Sequence, residues 1–163
     1  MKKALLIALC GLTVMFSACK KTVDYAPNYV GSYLGQITLT ITSMNNQPQT
    51  SLTFPMDGVG MDITNGSEAN AVTATMTADN ETHQTTGTTS AEKVDFDAIR
   101  LVIDKPDQNY AFSLDLKMEG TKDASDTLNL VGSFTGSGSA NFMGQEQVFN
   151  EVSGTLTGEF VKQ

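Results

Sequence analysis

The stretch Tyr110-Ala111-Phe112-Ser113-Leu114-Asp115-Leu116-Lys117-Met118 decides the fold, because large apolar side chains recur at every second position along it. Successive side chains of a β-strand point to opposite faces of the sheet, so a period of two places all the large apolar groups on one face. Such alternation is typical of a half-buried antiparallel strand. The stretch therefore predicts a strand with one face in the core and one face in solvent.

The same alternation recurs at short intervals through most of the chain. Apolar residues share one face in stretches that begin at Tyr33, Leu52, Val59, Val72, Val94, Leu128 and Val152. Eight or nine such strands, with no convincing amphipathic helix after the N-terminal segment, predict an all-β fold. We expect an antiparallel up-and-down barrel of about eight strands. A two-sheet β-sandwich is the alternative, because its strands alternate with the same period.

Three interruptions of the pattern carry further predictions. Pro55 has no N–H to donate, so its strand is expected to lie at an edge or to end there. The apolar positions change phase near Ala98, which predicts a β-bulge. The segment Asp79–Lys93 is polar and rich in threonine without an apolar period, so it is predicted to be a loop, with His83 exposed within it.

The N-terminal segment has the features of an export signal. Lys2 and Lys3 precede an apolar run over residues 4–16, which is shorter than the roughly 20 residues of a membrane-spanning helix. Phe16-Ser17-Ala18-Cys19 follows and resembles the lipobox of bacterial lipoproteins, which implies cleavage before Cys19 and lipidation of that residue. An ordinary secretory signal with an incidental cysteine is the alternative.

The expected organisation follows from that cleavage site. Residues 1–18 form the signal peptide, residues 19–29 a lipidated tether, and residues 30–163 the barrel domain. Lys20 occupies the position at which some lipoprotein sorting systems read an aspartate as a signal for inner-membrane retention. The resemblance therefore favours the outer membrane, and the lysines directly after Cys19 favour its periplasmic face over the cell surface.

The start of the predicted barrel carries a family resemblance. Gly31-Ser32-Tyr33-Leu34-Gly35 leads into Ile37-Thr38-Leu39-Thr40-Ile41 shortly after the lipoprotein signal. This opening resembles that of the Bacteroidales calycin-like β-barrel family, whose members are similar to lipocalins. Gly31-Ser32-Tyr33 lies where lipocalins have Gly-x-Trp. The resemblance implies a closed barrel of about eight strands and brings no catalytic residues.

Composition excludes several classes of function. The chain of 163 residues has a formal charge of −8, and loss of Lys2 and Lys3 with the signal would make it −10. Nucleic-acid binding depends on lysine and arginine, so an acidic chain without a basic stripe is not expected to bind nucleic acid. One histidine, with cysteines only at Cys10 and Cys19, excludes histidine- or cysteine-based metal sites and thiol chemistry. No cofactor is expected.

Enzymatic activity is not expected either. A glycosidase needs two facing carboxyl groups, whereas Asp95, Asp97 and Asp115 fall on the predicted polar faces of strands. His83 lacks an evident frame for Ser–His–acid catalysis. The sequence therefore predicts a non-catalytic binding or interaction protein.

The predicted inward positions supply candidate residues for a ligand site. Candidate ligand-lining residues are Met56, Met61, Met76, Met118, Phe112 and Tyr33. Flexible thioethers adapt to apolar ligands, although such methionines also fill cores, and an eight-stranded barrel is wide enough for either arrangement. The preferred hypothesis is a lipoprotein of the outer membrane that binds a small apolar or amphipathic ligand.

The alternative hypothesis is an interaction module of the cell envelope. Its partner would be an envelope protein that contacts the rim loops Asn45–Gln49, Asp79–Lys93 and Lys105–Asn109. Separately, Asp126-Thr127-Leu128 resembles a bacterial acceptor motif for O-glycosylation, which makes Thr127 a candidate modification site.

Overall fold

The strands form one closed antiparallel barrel in a computed structural model that describes residues 22–79, 81–105, 109–142 and 144–163. Each strand pairs with the next along the chain except β5, which pairs with β4 and β7 and not with β6, and β1 also pairs with the last strand, β9. The bounds are β1 Gly31–Met44, β2 Gln47–Asn65, β3 Ala71–Ala78, β4 Glu81–Thr89, β5 Val94–Phe96, β6 Ile99–Lys105, β7 Tyr110–Lys122, β8 Thr127–Phe142 and β9 Gln145–Lys162. The all-β prediction and the barrel prediction are confirmed, and the sandwich alternative is wrong.

The nine strands occupy eight positions around the barrel axis, because β5 and β6 lie one after the other along the same strand, β7. β5 pairs with β7 at Gly120 and Glu119, and β6 pairs with the other part of β7, from Leu116 to Tyr110. The interruption between Phe96 and Ile99 falls where the change of phase predicted a bulge. It switches the inward side chains from even to odd positions.

A second irregularity joins two predicted strands into the single long strand β2. Gly35 pairs with Val59 and Gln36 pairs with Asp57, so Gly58 is the extra residue of a bulge. Gly58 has φ +68°, a conformation that favours glycine. Pro55 lies in the half of β2 that pairs with β1 at Thr38, beyond the ladder with β3, which covers Gly60–Asn65. The prediction of an edge position for Pro55 is confirmed.

The prediction of a loop over Asp79–Lys93 is wrong, because most of the segment is strand β4. All eight residues of β3 pair with β4, from Ala71 with Thr88 to Ala78 with Glu81. The inward positions Thr85, Gly87 and Thr89 are buried but not strongly apolar, so they give no hydrophobic period. Threonine nevertheless favours strands, because its branched side chain suits a pleated surface.

One end of the barrel is closed by the residues that precede β1. A 3₁₀-helix over Ala26–Asn28 places Ala26 and Tyr29 in the core, with relative exposures of 1% and 2%. The Tyr33 hydroxyl donates a hydrogen bond of 2.8 Å to the carbonyl of Tyr29. Residues that pack against the barrel core therefore begin before residue 30, within the range predicted as the tether.

Two lysines hold this closed end in place. Lys122 Nζ donates to the carbonyl of Asn28 at 3.0 Å, and Lys162 Nζ donates to the carbonyl of Val30 at 2.9 Å. The predicted signal peptide and Cys19 lie outside the described residues. The part of the chain that the structure describes contains no helix long and apolar enough to cross a membrane.

Candidate functional site

The opposite end of the barrel has an uneven rim. The upper half of β2 extends past the turn between β3 and β4, where Asp79 has φ +50°. On the other side of this turn, β6 extends to Lys105, farther towards this end of the barrel. The short β3–β4 hairpin therefore leaves a notch in the rim between β2 and β6.

A cavity of about 190 Å³ opens at this notch. Its walls come from β2, from the β3–β4 turn, from β6 and from the start of β7. The lining residues are Phe54, Pro55, Met56, Asp57, Val59, Asp79, Ile103, Lys105 and Tyr110. A larger groove of about 490 Å³ runs over the outer face past Val102 and Val148, but it is shallow and does not enclose a ligand.

Aromatic rings form one side of the cavity. The ring centroids of Phe54 and Tyr110 lie 5.3 Å apart with an interplanar angle of 62°, and those of Phe54 and Phe112 lie 5.9 Å apart at 61°. These are edge-to-face contacts, which aromatic pairs favour. Because Phe54 is on β2 and the other two rings are on β7, the cluster spans the barrel interior. It gives the cavity a firm apolar wall.

An ion pair crosses the notch above this wall. Lys105 Nζ lies 2.6 Å from Asp79 Oδ1, and the two side chains are 34% and 41% exposed. The hydrogen bond to Asp79 raises the pKa of Lys105 above its ordinary value. Lys105 therefore stays protonated at neutral pH. The pair links the β3–β4 turn to the end of β6, across the part of the rim where the two segments are not joined by a ladder.

The candidate ligand-lining residues separate into two groups. Met56 lines the cavity, and Phe112 contacts Phe54 at its aromatic wall. The other four pack in the core, with relative exposures of 3% or less: Tyr33, Met61, Met76 and Met118. The structure thus brings one predicted lining residue to the cavity and one to its wall.

His83 is not an exposed loop residue, so that prediction is wrong. It lies within β4 opposite Met76 of β3, and its side chain is 16% exposed. Its Nε2 atom is buried, has no hydrogen-bond partner among the described residues and lies 3.6 Å from Glu81 Oε2. The prediction for His83 fails for the same reason as the loop prediction for the segment around it: the inward face of β4 lacks a hydrophobic period.

The remaining polar candidates lie apart from the cavity. Asp95, Asp97 and Asp115 are exposed, as their strand phases predicted. Thr127 begins β8 at the closed end with 9% exposure, and its hydroxyl lies 3.0 Å from that of Ser125. Over the described ranges, no three histidine, cysteine or acidic residues are grouped as metal ligands would be.

Sequence reasoning missed most of the cavity. The alternation predicts strands in the stretches that begin at Leu52, Val94 and Tyr110, but it does not indicate that these stretches meet at one site. Asp79 and Lys105 were placed in loops with no reason to meet. Pro55 is the one sequence feature that could have indicated the cavity. If Pro55 lies at an edge of the sheet, the side chains next to it border an opening.

Comparisons with known proteins give little further information. No family model matches the chain, and no curated protein matches it. The structure is weakly similar to a crystal structure of a multidomain protein including DUF1735 from Bacteroides ovatus. The match has 15% sequence identity and a TM-score of 0.29, and it covers 80% of this chain and 49% of that one. The chain thus spans about half the length of that protein, and so low a TM-score supports no argument about function.

Proposed function

We propose that this protein is a non-catalytic, lipid-anchored envelope protein of the calycin-like family that binds a small apolar or amphipathic ligand at the open end of its barrel. The observation that carries the proposal is the cavity beneath the Asp79–Lys105 pair. There, Phe54, Met56, Ile103 and Tyr110 provide apolar contacts beside charged groups. Ligand sites combine apolar contacts with polar groups that orient the ligand, and the large polar share of this lining suits an amphipathic ligand better than a purely apolar one.

The size of the cavity limits the ligand. A cavity of about 190 Å³ is somewhat larger than the roughly 150 Å³ cavity that accommodates benzene. It therefore suits one ring, or a short alkyl chain, with a small polar head group. A long lipid would not fit, because the inward residues farther down the barrel are packed together as core.

The position of the chain entry supports uptake from the aqueous phase. The chain reaches the barrel at its closed end, where the Tyr25 N–H donates to Asn70 Oδ1 at 2.7 Å. The cavity opens at the other end. With a lipid anchor on Cys19, the open end would face away from the membrane and receive ligands from the periplasm.

The anchor has a direct test. In its own host, the full-length protein should fractionate with the outer membrane, and Cys19→Ser should release it into a soluble fraction. Lys20→Ser, next to the modified position, is the matched control and should stay membrane-bound. Membrane association that survives Cys19→Ser would contradict the lipidation.

The ligand also has a direct test. Native mass spectrometry of the mature protein, released in mild detergent from its own envelope, should show one small adduct per chain. The adduct should be lost from Met56→Phe, which fills the cavity, and kept by Leu52→Phe, on the same strand outside the cavity lining. An adduct of unchanged abundance in Met56→Phe would place the ligand elsewhere.

The interaction-module alternative stays a prediction. Of its three proposed rim loops, Asp79–Lys93 is mostly strand β4, and Lys105–Asn109 includes residues 106–108, which lie outside the described ranges. Asn45 and Asn46 form a tight two-residue turn with φ of 48° and 61°. Among the described residues of these segments, no contact favours a protein partner.

A further inference from the structure

The charges that face the cavity balance each other. Lys105 continues the inward phase of Ile103 on β6, and Asp79 lies in the β3–β4 turn, with the two charged atoms 2.6 Å apart. The cavity also borders Asp57, but that residue pairs with the exposed Gln36 of β1. Residues opposite one another in a ladder share a face of the sheet, so the Asp57 carboxylate lies on the outer face. The described residues that face the cavity therefore carry no net charge.

The ion pair retains hydrogen-bonding capacity of both kinds. Its 2.6 Å contact uses Oδ1 of Asp79 and one N–H of Lys105. A carboxylate has a second oxygen and an ammonium group has three N–H donors, so an acceptor and donors remain side by side at the cavity mouth. The Tyr110 hydroxyl is close by, since the hydrogen bond to Asp79, and after it the nearby Tyr110 oxygen, raise the pKa of Lys105. This end of the cavity is therefore polar without a net charge.

We propose that this cavity selects an uncharged, single-ring ligand whose head group both donates and accepts hydrogen bonds, such as a primary amide or a hydroxyl. The proposal rests on the function proposed above and specifies its ligand class. The ring would pack against Phe54, Met56 and Ile103. The head group would donate to the carboxylate of Asp79 and accept from the ammonium of Lys105 without separating the two.

A charged head group would bind less well at the same place. Asp79 would attract a cation and Lys105 would repel it, and an anion would meet the reverse, so the two interactions largely cancel. The charge would still lose hydration on entering the cavity, and a buried charge without a partner of its own is costly. A neutral head group avoids this cost and keeps its hydrogen bonds. Affinity should therefore be highest for the neutral member of a matched series.

Benzamide, benzoate and benzamidine form such a series. They share one ring and a planar head group of similar size, but they are neutral, anionic and cationic at pH 7. Their affinities for the mature protein would be measured by NMR titration at pH 7 and constant ionic strength. We expect benzamide to bind about fivefold tighter than either charged probe. Equal affinities, or a charged probe binding tightest, would overturn the selectivity while leaving the cavity as a ligand site. If none of the probes binds, the proposed function fails as well.

Reciprocal variants assign the selectivity to the ion pair. Asp79→Asn leaves the ammonium of Lys105 unpaired, so benzoate should become the tightest ligand, and asparagine tolerates φ +50° at this position. Lys105→Met leaves the carboxylate of Asp79 unpaired, so benzamidine should become the tightest ligand. Asp62→Asn and Lys117→Met make the same charge changes at exposed positions outside the cavity lining, so benzamide should remain tightest in both controls. An unchanged order of affinities in Asp79→Asn and Lys105→Met would overturn the role of the pair.

Discussion

Lys105 and Asp79 lie 26 positions apart in the chain, yet their charged atoms are 2.6 Å apart across the notch in the barrel rim. The pair joins the end of β6 to the turn between β3 and β4, and the cavity lies directly beneath it. Both side chains are partly exposed, so the pair is screened by solvent and contributes little to stability. Its main consequence is electrostatic, because it neutralises Lys105, which has the only ammonium group among the described residues that line the cavity.

The backbone conformation of Asp79 predicts how this turn responds to substitution. With φ +50°, the residue lies in the left-handed region, which asparagine tolerates and alanine does not. Asp79→Asn should unfold at nearly the wild-type urea concentration, whereas Asp79→Ala should lose about 1 kcal/mol of stability. Equal midpoints for the two variants in urea unfolding would contradict the role assigned to the turn.

The closed end of the barrel depends on the Tyr33 hydroxyl. Tyr33 is 2% exposed, and burial, followed by the charge of Asp126, raises the pKa of its hydroxyl. Tyr33→Phe leaves the buried carbonyl of Tyr29 without this donor, so we expect a loss of about 1 kcal/mol in the free energy of unfolding. Tyr25→Phe is the control, since the Tyr25 hydroxyl makes no hydrogen bond with any described residue. A loss of the same size in the control would refute the assignment.

Gly154 marks a place where two strands and a ring leave no space for a side chain. A Cβ there would overlap the carbonyl oxygen of Thr40 on β1 and the ring of Phe134 on β8. Gly154→Ala should therefore destabilise the barrel by about 3 kcal/mol. Gly60→Ala is the matched control, because its nearest neighbour would be Thr77 Cβ at 3.9 Å, an ordinary contact. Thermal unfolding of both variants would test the prediction. It fails if Gly154→Ala and Gly60→Ala unfold at the same temperature.

The β7–β8 turn should contribute stability that is lost in acid. The hydrogen bond from Lys122, at 2.6 Å, holds the pKa of Asp126 below its ordinary value of 3.8. A carboxyl group whose pKa is lowered by folding stabilises the folded state above pH 3.8, and this stabilisation is lost as the pH falls through the folded-state pKa.

Asp126→Asn tests this pH dependence without disturbing the turn, because asparagine tolerates φ +62° at this position. The variant should unfold at a lower urea concentration than the wild type at pH 7. The difference should shrink as the pH is lowered towards 2. A difference that stays constant with pH would exclude the carboxylate as its cause.

Much of the fold could be predicted from the sequence because burial has a period of two in most strands. Tyr110–Met118 and the Gly31–Ile41 region present large apolar groups inward, and their placement follows directly. In β4 the inward residues include Thr85 and Gly87, which fill space without a strong hydrophobic signal, so the strand and the position of His83 were missed. The alternation within one strand does not indicate how far that strand extends along the barrel axis relative to its neighbours.

The candidate site depends on that missing information. Phe54 and Tyr110 lie on β2 and β7, which are not neighbours in the sheet, and no periodicity within a strand encodes the contact between their rings. The Asp79–Lys105 pair arises only because the β3–β4 hairpin is shorter than its neighbours. Met56 was identified from its inward phase, but Met61, Met76 and Met118 have the same phase and lie in the core.

The methionines also provide the most direct test of the central claim, that a small ligand binds at the open end of the barrel. In the mature protein labelled at the methionine methyl groups, titration with benzyl alcohol should shift the Met56 resonance in a saturable way. The resonances of Met61, Met76 and Met118 should not move. Met56→Leu would assign the responding signal. Absence of any saturable shift, or a shift centred on the core methionines, would contradict the account.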